Sequence, residues 1–126
     1  MAHNPVRWFE IYVQDMERAK KFYQTVFQFQ FNKLENPSDS GIEMSQFPSN
    51  MEQMGCSGAL VKMKGVPSGG NSTIVYFGCA DCAVEEGRVQ SAGGKVEKPK
   101  MSIGQYGYIS LVYDTEGNMI GLHSME

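Results

Sequence analysis

Two ionisable side chains, Glu10 and His123, stand in segments whose residue types are typical of β-strands. A glutamate and a histidine that meet can exchange a proton, or can hold a metal ion through an oxygen and an imidazole nitrogen. Their contact would raise the pKa of the histidine by favouring its charged form. We take them as candidate catalytic residues. The alternative is that Glu10 is solvated at a strand end and that His123 is simply exposed.

The sequence also contains a C-x-x-C pattern, formed by Cys79 and Cys82, with a third cysteine at Cys56. A redox or zinc role for this pattern would need a thioredoxin-like context or a second cysteine pair, and neither occurs. We therefore interpret the spacing as chance and expect Cys79 to pack in the core.

Composition favours a single domain, at residues 1–126. The chain is 41% hydrophobic and 11% aromatic, enough for a buried core. With 11 basic and 14 acidic residues and no basic cluster, it lacks the footprint of a protein that binds nucleic acid or an anionic membrane. No apolar run could span a bilayer and no signal-peptide pattern is visible, so the expected location is cytoplasmic.

The first half of the sequence predicts a strand, a capped helix and three more strands. Residues 9–13 alternate as a half-buried strand does, and Asp15 can cap a helix that begins at Met16. Apolar residues recur there at helical spacing: Met16, Ala19, Phe22, Tyr23, Val26 and Phe27. The later strands are predicted at residues 29–34, 42–47 and 58–63, with loops at 35–41 and 48–55.

The second half repeats this plan after a glycine- and proline-rich linker at residues 65–72. A strand at 73–79, a cap at Asp81 and a helix at 82–92 precede strands at 95–101, 108–113 and 119–123. The first module thus spans about 6–64 and the second about 73–126. Because one such unit cannot bury both faces of its sheet, we expect the two to pair.

An ordered series of motifs covers nearly the whole chain. The motifs are WFEIYVQDMERA at 8–19, QSAGGKV at 90–96, GYIS at 107–110 and DTEGN at 114–118. Together they resemble the vicinal oxygen chelate superfamily, in its glyoxalase, bleomycin-resistance and dioxygenase-like branch. The resemblance implies an α+β fold in which paired βαβββ modules form a curved sheet or half-barrel around a cavity, with the helices outside. It also implies a homodimer.

Members of this superfamily commonly bind a divalent metal through four side chains, typically His and Glu. The corresponding positions here are Trp8, Ile74, Gly121 and the stretch 58–60, and none carries a metal-ligating side chain. We therefore predict no metal and no other cofactor. The alternative is a divalent metal held by other residues, for which Glu10, Glu43 and His123 are the candidates.

Strand alternation then sorts the side chains around the implied cavity. If Trp8 faces inward, so do Glu10, Tyr12, Ile74, Tyr76, Gly78, Met119, Gly121 and His123. The residues predicted to face the helices are Phe9, Ile11, Val13, Val75, Phe77, Cys79, Ile120 and Leu122.

The inferred lining is aromatic and apolar, as in small-molecule sites. The candidate ligand-binding residues are Trp8, Tyr12, Met44, Met63, Tyr76 and Met119, and residues 51–54 are a candidate lid. Each has a structural alternative: Trp8 could plug the core, and the tyrosines and methionines could simply fill space.

Three functions remain open. The first is a metal-free protein that binds a small hydrophobic or aromatic ligand. The second is a metal-dependent lyase, isomerase or dioxygenase with non-standard ligands, so enzymatic activity is left undecided. The third is a dimeric interaction module whose cavity is filled by its own side chains.

Overall fold

The computed structural model describes residues 3–34 and 41–126, and this part of the chain forms two α-helices and eight strands. In chain order they are β1 (Trp8–Tyr12), α1 (Met16–Phe27), β2 (Asn32–Leu34), β3 (Glu43–Gln46), β4 (Ser57–Lys62), β5 (Val75–Gly78), α2 (Cys82–Val89), β6 (Lys95–Ser102), β7 (Tyr108–Tyr113) and β8 (Met119–Ser124). The loop predicted at 35–41 lies outside the described residues, apart from Gly41.

The predicted elements are confirmed, with shifts at their ends that have local causes. α1 has the predicted bounds, and the Asp15 carboxylate caps it by accepting from the backbone N–H of Arg18 at 3.1 Å. α2 ends at Val89 rather than at 92, because the chain turns through Gly93 at a φ of 98°. β2 begins only at Asn32 because the preceding residues, Phe29 and Phe31, pack with Phe27 and Phe47 instead.

The two halves have the same topology, which confirms the paired βαβββ fold. In the first sheet the strand order is β1-β4-β3-β2, and in the second it is β5-β8-β7-β6. The first strand of each half pairs in parallel with the last strand of that half, and the other pairings are antiparallel. β1 is thus an edge strand of the first sheet and β5 an edge strand of the second, and each belongs to the parallel pair of its sheet.

Both helices pack on one side of the two sheets. The predicted apolar stripe of α1 is buried at Met16, Ala19, Phe22, Tyr23 and Val26. An aromatic cluster joins the two halves, since Phe27 from α1 lies 4.7 Å from Phe77 of β5 between ring centroids. Tyr23 also packs against Phe47, 5.4 Å away, so one hydrophobic core serves both sheets.

The side of the sheets turned away from the helices is called the open face. The predicted orientation is confirmed for most strand residues: Ile11, Val13, Ile120 and Leu122 are buried in the core, and Phe9, Phe77 and Cys79 pack against it. Val75 differs, because it is half-buried at the start of an edge strand and is not among the residues that pack against the core.

Register and alternation assign the remaining open-face residues of the first sheet. These residues are Trp8, Glu10, Tyr12, Ser57, Ala59, Val61, Met44, Gln46, Asn32 and Leu34.

No described helix is long and apolar enough to cross a membrane.

Candidate functional site

A row of three hydrogen-bonded side chains runs along β1 on the open face. The indole N–H of Trp8 donates to Glu10 Oε2 at 3.2 Å, and the Tyr12 hydroxyl donates to Glu10 Oε1 at 2.9 Å. The hydrogen bond to Glu10 raises the pKa of Tyr12, so this hydroxyl is a neutral donor. Trp8 keeps 40% of its surface exposed, which leaves its ring free to stack with a ligand.

On the second sheet, Tyr76 lies directly over Gly121. The two residues are register partners on the parallel strands β5 and β8. A β-carbon added at Gly121 would collide with the ring of Tyr76. Tyr76 is itself 47% exposed, so its ring presents an aromatic surface at the position where the superfamily resemblance places a metal ligand.

The other positions that correspond to metal ligands do not suit a cation either. Trp8 and Ile74 have no ligating atom for a metal, and a β-carbon at Gly58 would collide with Phe9. The following residues, Ala59 and Leu60, are wholly buried and apolar. Across the described residues, no group of three or more His, Cys, Asp or Glu side chains is arranged to hold a metal. The residues present therefore do not fit the superfamily's metal centre.

The two candidate catalytic residues have separate hydrogen-bond partners. The carboxylate of Glu10 binds Trp8 and Tyr12, whereas His123 Nε2 lies 2.7 Å from the backbone oxygen of Tyr106. No ion pair between Glu10 and His123 occurs within residues 3–34 and 41–126. Their catalytic role stays a prediction.

Two cavities border the open-face row. One, of about 630 Å³, lies between Trp8 and the loop that joins β3 to β4. This loop contains the candidate lid, whose Met51 and Met54 side chains are 97% and 93% exposed. The other cavity, of about 390 Å³, lies beside β1 and is lined by Tyr12 and by Met119 of β8.

The remaining candidate ligand residues are two half-buried methionines in the first half of the chain. Met44 is on the open face of β3, opposite Val61, and Met63 follows the end of β4. Neither lines the two cavities described above. Their role in binding stays a prediction.

A network of buried carboxylates, which sequence reasoning missed, joins the β7–β8 turn to the first half of the chain. Glu116 Oε1 accepts from the backbone N–H groups of Gln14 and Asp15 at 2.8 and 3.0 Å. Its carboxylate also pairs with Arg18 through two hydrogen bonds of 2.7 and 2.9 Å. Burial alone would raise the pKa of Glu116, but these hydrogen bonds outweigh it and hold the pKa at about 2.

Asp114, two residues earlier, binds the centre of α1. Its Oδ2 accepts from the hydroxyl of Tyr23 at 2.6 Å, and its Oδ1 accepts from the backbone N–H groups of Glu116 and Asn118. Burial raises the pKa of Asp114 even though each of these bonds opposes that shift. The turn can close because Gly117 adopts a φ of 81°. The DTEGN motif thus fixes the two halves side by side.

The C-x-x-C cysteines have no reactive environment. Cys82 is fully buried, and Cys79 is part-buried against the core. Burial, together with the nearby carboxylate of Glu85, raises the pKa of Cys79 to about 12. Its thiol is therefore protonated at neutral pH, which agrees with its interpretation as a core residue.

Comparisons with known proteins agree with this fold. A family model described as bleomycin resistance protein-like N-terminal matches residues 6–45. A glyoxylase-like domain-containing protein of Didymella fabae is 27% identical over 119 residues, which cover 94% of this chain and 91% of that protein.

Two solved structures are also similar. Glyoxalase I of Zea mays shares 21% identity at a TM-score of 0.75, over 96% of this chain and 46% of that one. TnmS3, an antibiotic-binding protein from Streptomyces sp. CB03234, shares 28% identity at a TM-score of 0.68, over 98% of both chains. The chain thus spans about half the length of the maize enzyme and the full length of the Streptomyces protein.

The architecture is that of the glyoxalase and bleomycin-resistance fold. With the matching motifs and relatives, it supports the similarity of this chain to the vicinal oxygen chelate superfamily.

Proposed function

We propose that the protein binds a small planar, largely apolar molecule on its open face and does so without the superfamily's metal centre. The observation that carries the proposal is the replacement of metal-ligand positions by aromatic surface. Trp8 occupies one such position, and the ring of Tyr76 covers a second, at Gly121. Half-exposed aromatic rings of this kind are the usual platforms for planar ligands.

The similarity to an antibiotic-binding protein over the full length of both chains supports a binding role over a catalytic one. The maize enzyme, in contrast, is about twice as long and is similar at a lower identity. A binding protein needs shape and apolar contact, which the open face offers through Trp8, Tyr76 and Met119. The ligand would reach this face from solvent, since both rings are exposed.

Calorimetric titration of the full chain with tryptophol, a neutral planar probe, tests this function. We expect saturable binding that Trp8→Ala weakens about tenfold or more, because the substitution removes the stacking surface. Val84→Ala is the matched control: Val84 is also half-exposed, but it lies on α2, on the other side of the sheets. The control should bind as the wild type does.

The metal content of protein purified without chelator provides the second arm. We expect no stoichiometric Zn, Ni, Mn or Fe. A stoichiometric metal that is lost in Glu10→Gln or His123→Ala, with no tryptophol binding, would overturn the proposal and would favour the metal-dependent enzyme instead.

A further inference from the structure

From the charge on the open face, we infer that the ligand carries a cationic amine or amidine group, which the Glu10 carboxylate receives between the rings of Trp8 and Tyr12. This inference rests on the proposed function and adds the chemical class of the ligand.

The first argument concerns the charge that the strands present. Among the residues that the described strands of the first sheet place on the open face, Glu10 is the one that is charged. The charge has no cationic partner, since none of the ion pairs in the described part of the chain involves Glu10. Arg7, the cation nearest in sequence, is not paired with it either. An unpaired carboxylate in an otherwise uncharged surface attracts a cation.

The second argument concerns the geometry of the carboxylate. Residues 8, 10 and 12 alternate onto one face of β1, so the carboxylate lies between two aromatic side chains. Each of its oxygens accepts one hydrogen bond, from Trp8 and from Tyr12 respectively. These bonds fix the orientation of the carboxylate and leave about half of its acceptor sites free, since a carboxylate has about four. The free sites can accept N–H groups of a ligand.

The third argument concerns the neighbouring surface. Ala59, the register partner of Glu10 on β4, is wholly buried, so side chains of the open face cover the sheet beside the carboxylate. The exposed ring of Trp8 provides an adjacent π-face, and a cation near such a face gains a further attraction. One ligand can therefore place its planar part on Trp8 and its cation on Glu10.

Lysines on the open face of the second sheet do not cancel this charge locally. Lys95 and Lys98 are register partners of Tyr113 and Leu111. They belong to β6, the strand at the far edge of that sheet from β5. Charged groups separated across several strands interact weakly in water and salt.

The test compares three indole probes that differ in charge: tryptamine, a cation; tryptophol, which is neutral; and indolepropionate, an anion. Trp8 is the single tryptophan of the chain, so its indole N–H gives one assignable signal in a nitrogen–proton correlation spectrum. Each probe is titrated into the labelled full chain, and the shift of this signal gives its Kd.

We expect tryptamine to bind about tenfold more tightly than tryptophol, and indolepropionate to bind most weakly. Glu10→Gln should abolish the preference for the cation, so that tryptamine and tryptophol bind this variant with the same Kd. Glu17→Gln, which changes the net charge equally on the exposed side of α1, should keep the full difference.

Equal binding of tryptamine and tryptophol to the wild type would overturn the inference and leave the proposed function in place. An equal loss of affinity for tryptamine and tryptophol in Glu10→Gln would also overturn the inference, because Glu10 would then serve only to hold Trp8 in position. If no probe shifts the Trp8 signal, the proposed function fails as well.

Discussion

The ring of Tyr76 lies over the α-carbon of Gly121, its register partner on the neighbouring parallel strand, so closely that no β-carbon fits between them. Gly121 is the position at which the superfamily resemblance places a metal ligand. A ligating side chain and the present position of Tyr76 are therefore mutually exclusive. The absence of a side chain at Gly121 is what lets an aromatic surface form there.

This contact predicts strong coupling between the two positions. We expect Gly121→Ala to lower the free energy of unfolding by about 1–3 kcal/mol, because the added methyl group displaces the Tyr76 ring. In a Tyr76→Ala background the same change should be neutral or stabilising, as Gly→Ala in a strand usually is. Urea unfolding of the double-mutant cycle measures the coupling. Equal costs in both backgrounds would show that the ring does not occupy this space.

A matched glycine provides the control. Gly87 lies within α2 with no atom close to an added β-carbon. Gly87→Ala should therefore stabilise the protein by about 0.5–1 kcal/mol through helix propensity alone.

The hydroxyl of Tyr23 donates to Asp114 inside the core, and its loss should be costly. We expect Tyr23→Phe to lower the free energy of unfolding by about 1–3 kcal/mol, because the buried carboxylate loses its shortest hydrogen bond. Tyr12→Phe removes a hydroxyl of similar geometry at an exposed carboxylate and should change stability by less than about 0.5 kcal/mol. Thermal or urea unfolding distinguishes the two. Comparable effects would contradict a special role for Asp114.

Glu116 predicts an acid-dependent loss of stability. Its pKa falls from 4.5 to about 2 on folding, so its contribution is fully present above pH 4.5 and is lost as the pH falls towards 2. Glu116→Gln should be less stable than the wild type near neutral pH, by about 2 kcal/mol or more, and this gap should close over that range. The raised pKa of Asp114 has the opposite effect, because it makes the fold more stable as the pH falls. This effect is present in both the wild type and Glu116→Gln.

Unfolding of the two proteins across this pH range measures the gap directly. Glu17→Gln, at an exposed ion pair, should show no comparable dependence. A gap between the wild type and Glu116→Gln that persists unchanged at low pH would mean that the carboxylate of Glu116 is not the group responsible.

The three cysteines should differ sharply in reactivity. Cys56 is exposed, Cys82 is buried, and burial together with Glu85 raises the pKa of Cys79 to about 12. We expect iodoacetamide at neutral pH to add one label to the native protein, at Cys56, and three after denaturation. Mass spectrometry of the wild type and of Cys56→Ser measures this. Rapid labelling of Cys79 in the native state would reopen a redox role for the C-x-x-C pattern.

Local patterns were sufficient to predict the elements and their orientation. The stripe from Met16 to Phe27 and the cap at Asp15 specify α1, and alternation assigned Trp8 and Ile11 to opposite faces of β1. Contacts between distant segments were not predictable in this way. DTEGN indicated only a turn, because nothing near Glu116 in sequence shows that its carboxylate binds Arg18 and the N–H groups before α1.

The candidate site was likewise predictable from local patterns only in part. Sequence reasoning placed Trp8 and Tyr76 on the inward face and mapped a metal-ligand position of the resembled superfamily to Gly121, since those steps need only residue types and alternation. The role of Trp8 and Tyr76 in ligand binding stays a prediction. It could not predict the hydrogen bonds that Trp8 and Tyr12 donate to Glu10, or the contact of His123 with Tyr106, because side-chain hydrogen bonds depend on rotamers that alternation does not fix.

The central proposal is that the open face holds a planar molecule where the superfamily that the chain resembles holds a metal. Its most direct test reads the Trp8 indole signal and the Gly121 amide signal while the full chain is titrated with tryptophol and, separately, with manganese(II). We predict that tryptophol shifts both signals saturably and that substoichiometric manganese broadens neither selectively. Selective broadening of both signals by manganese, with no response to tryptophol, would contradict the account.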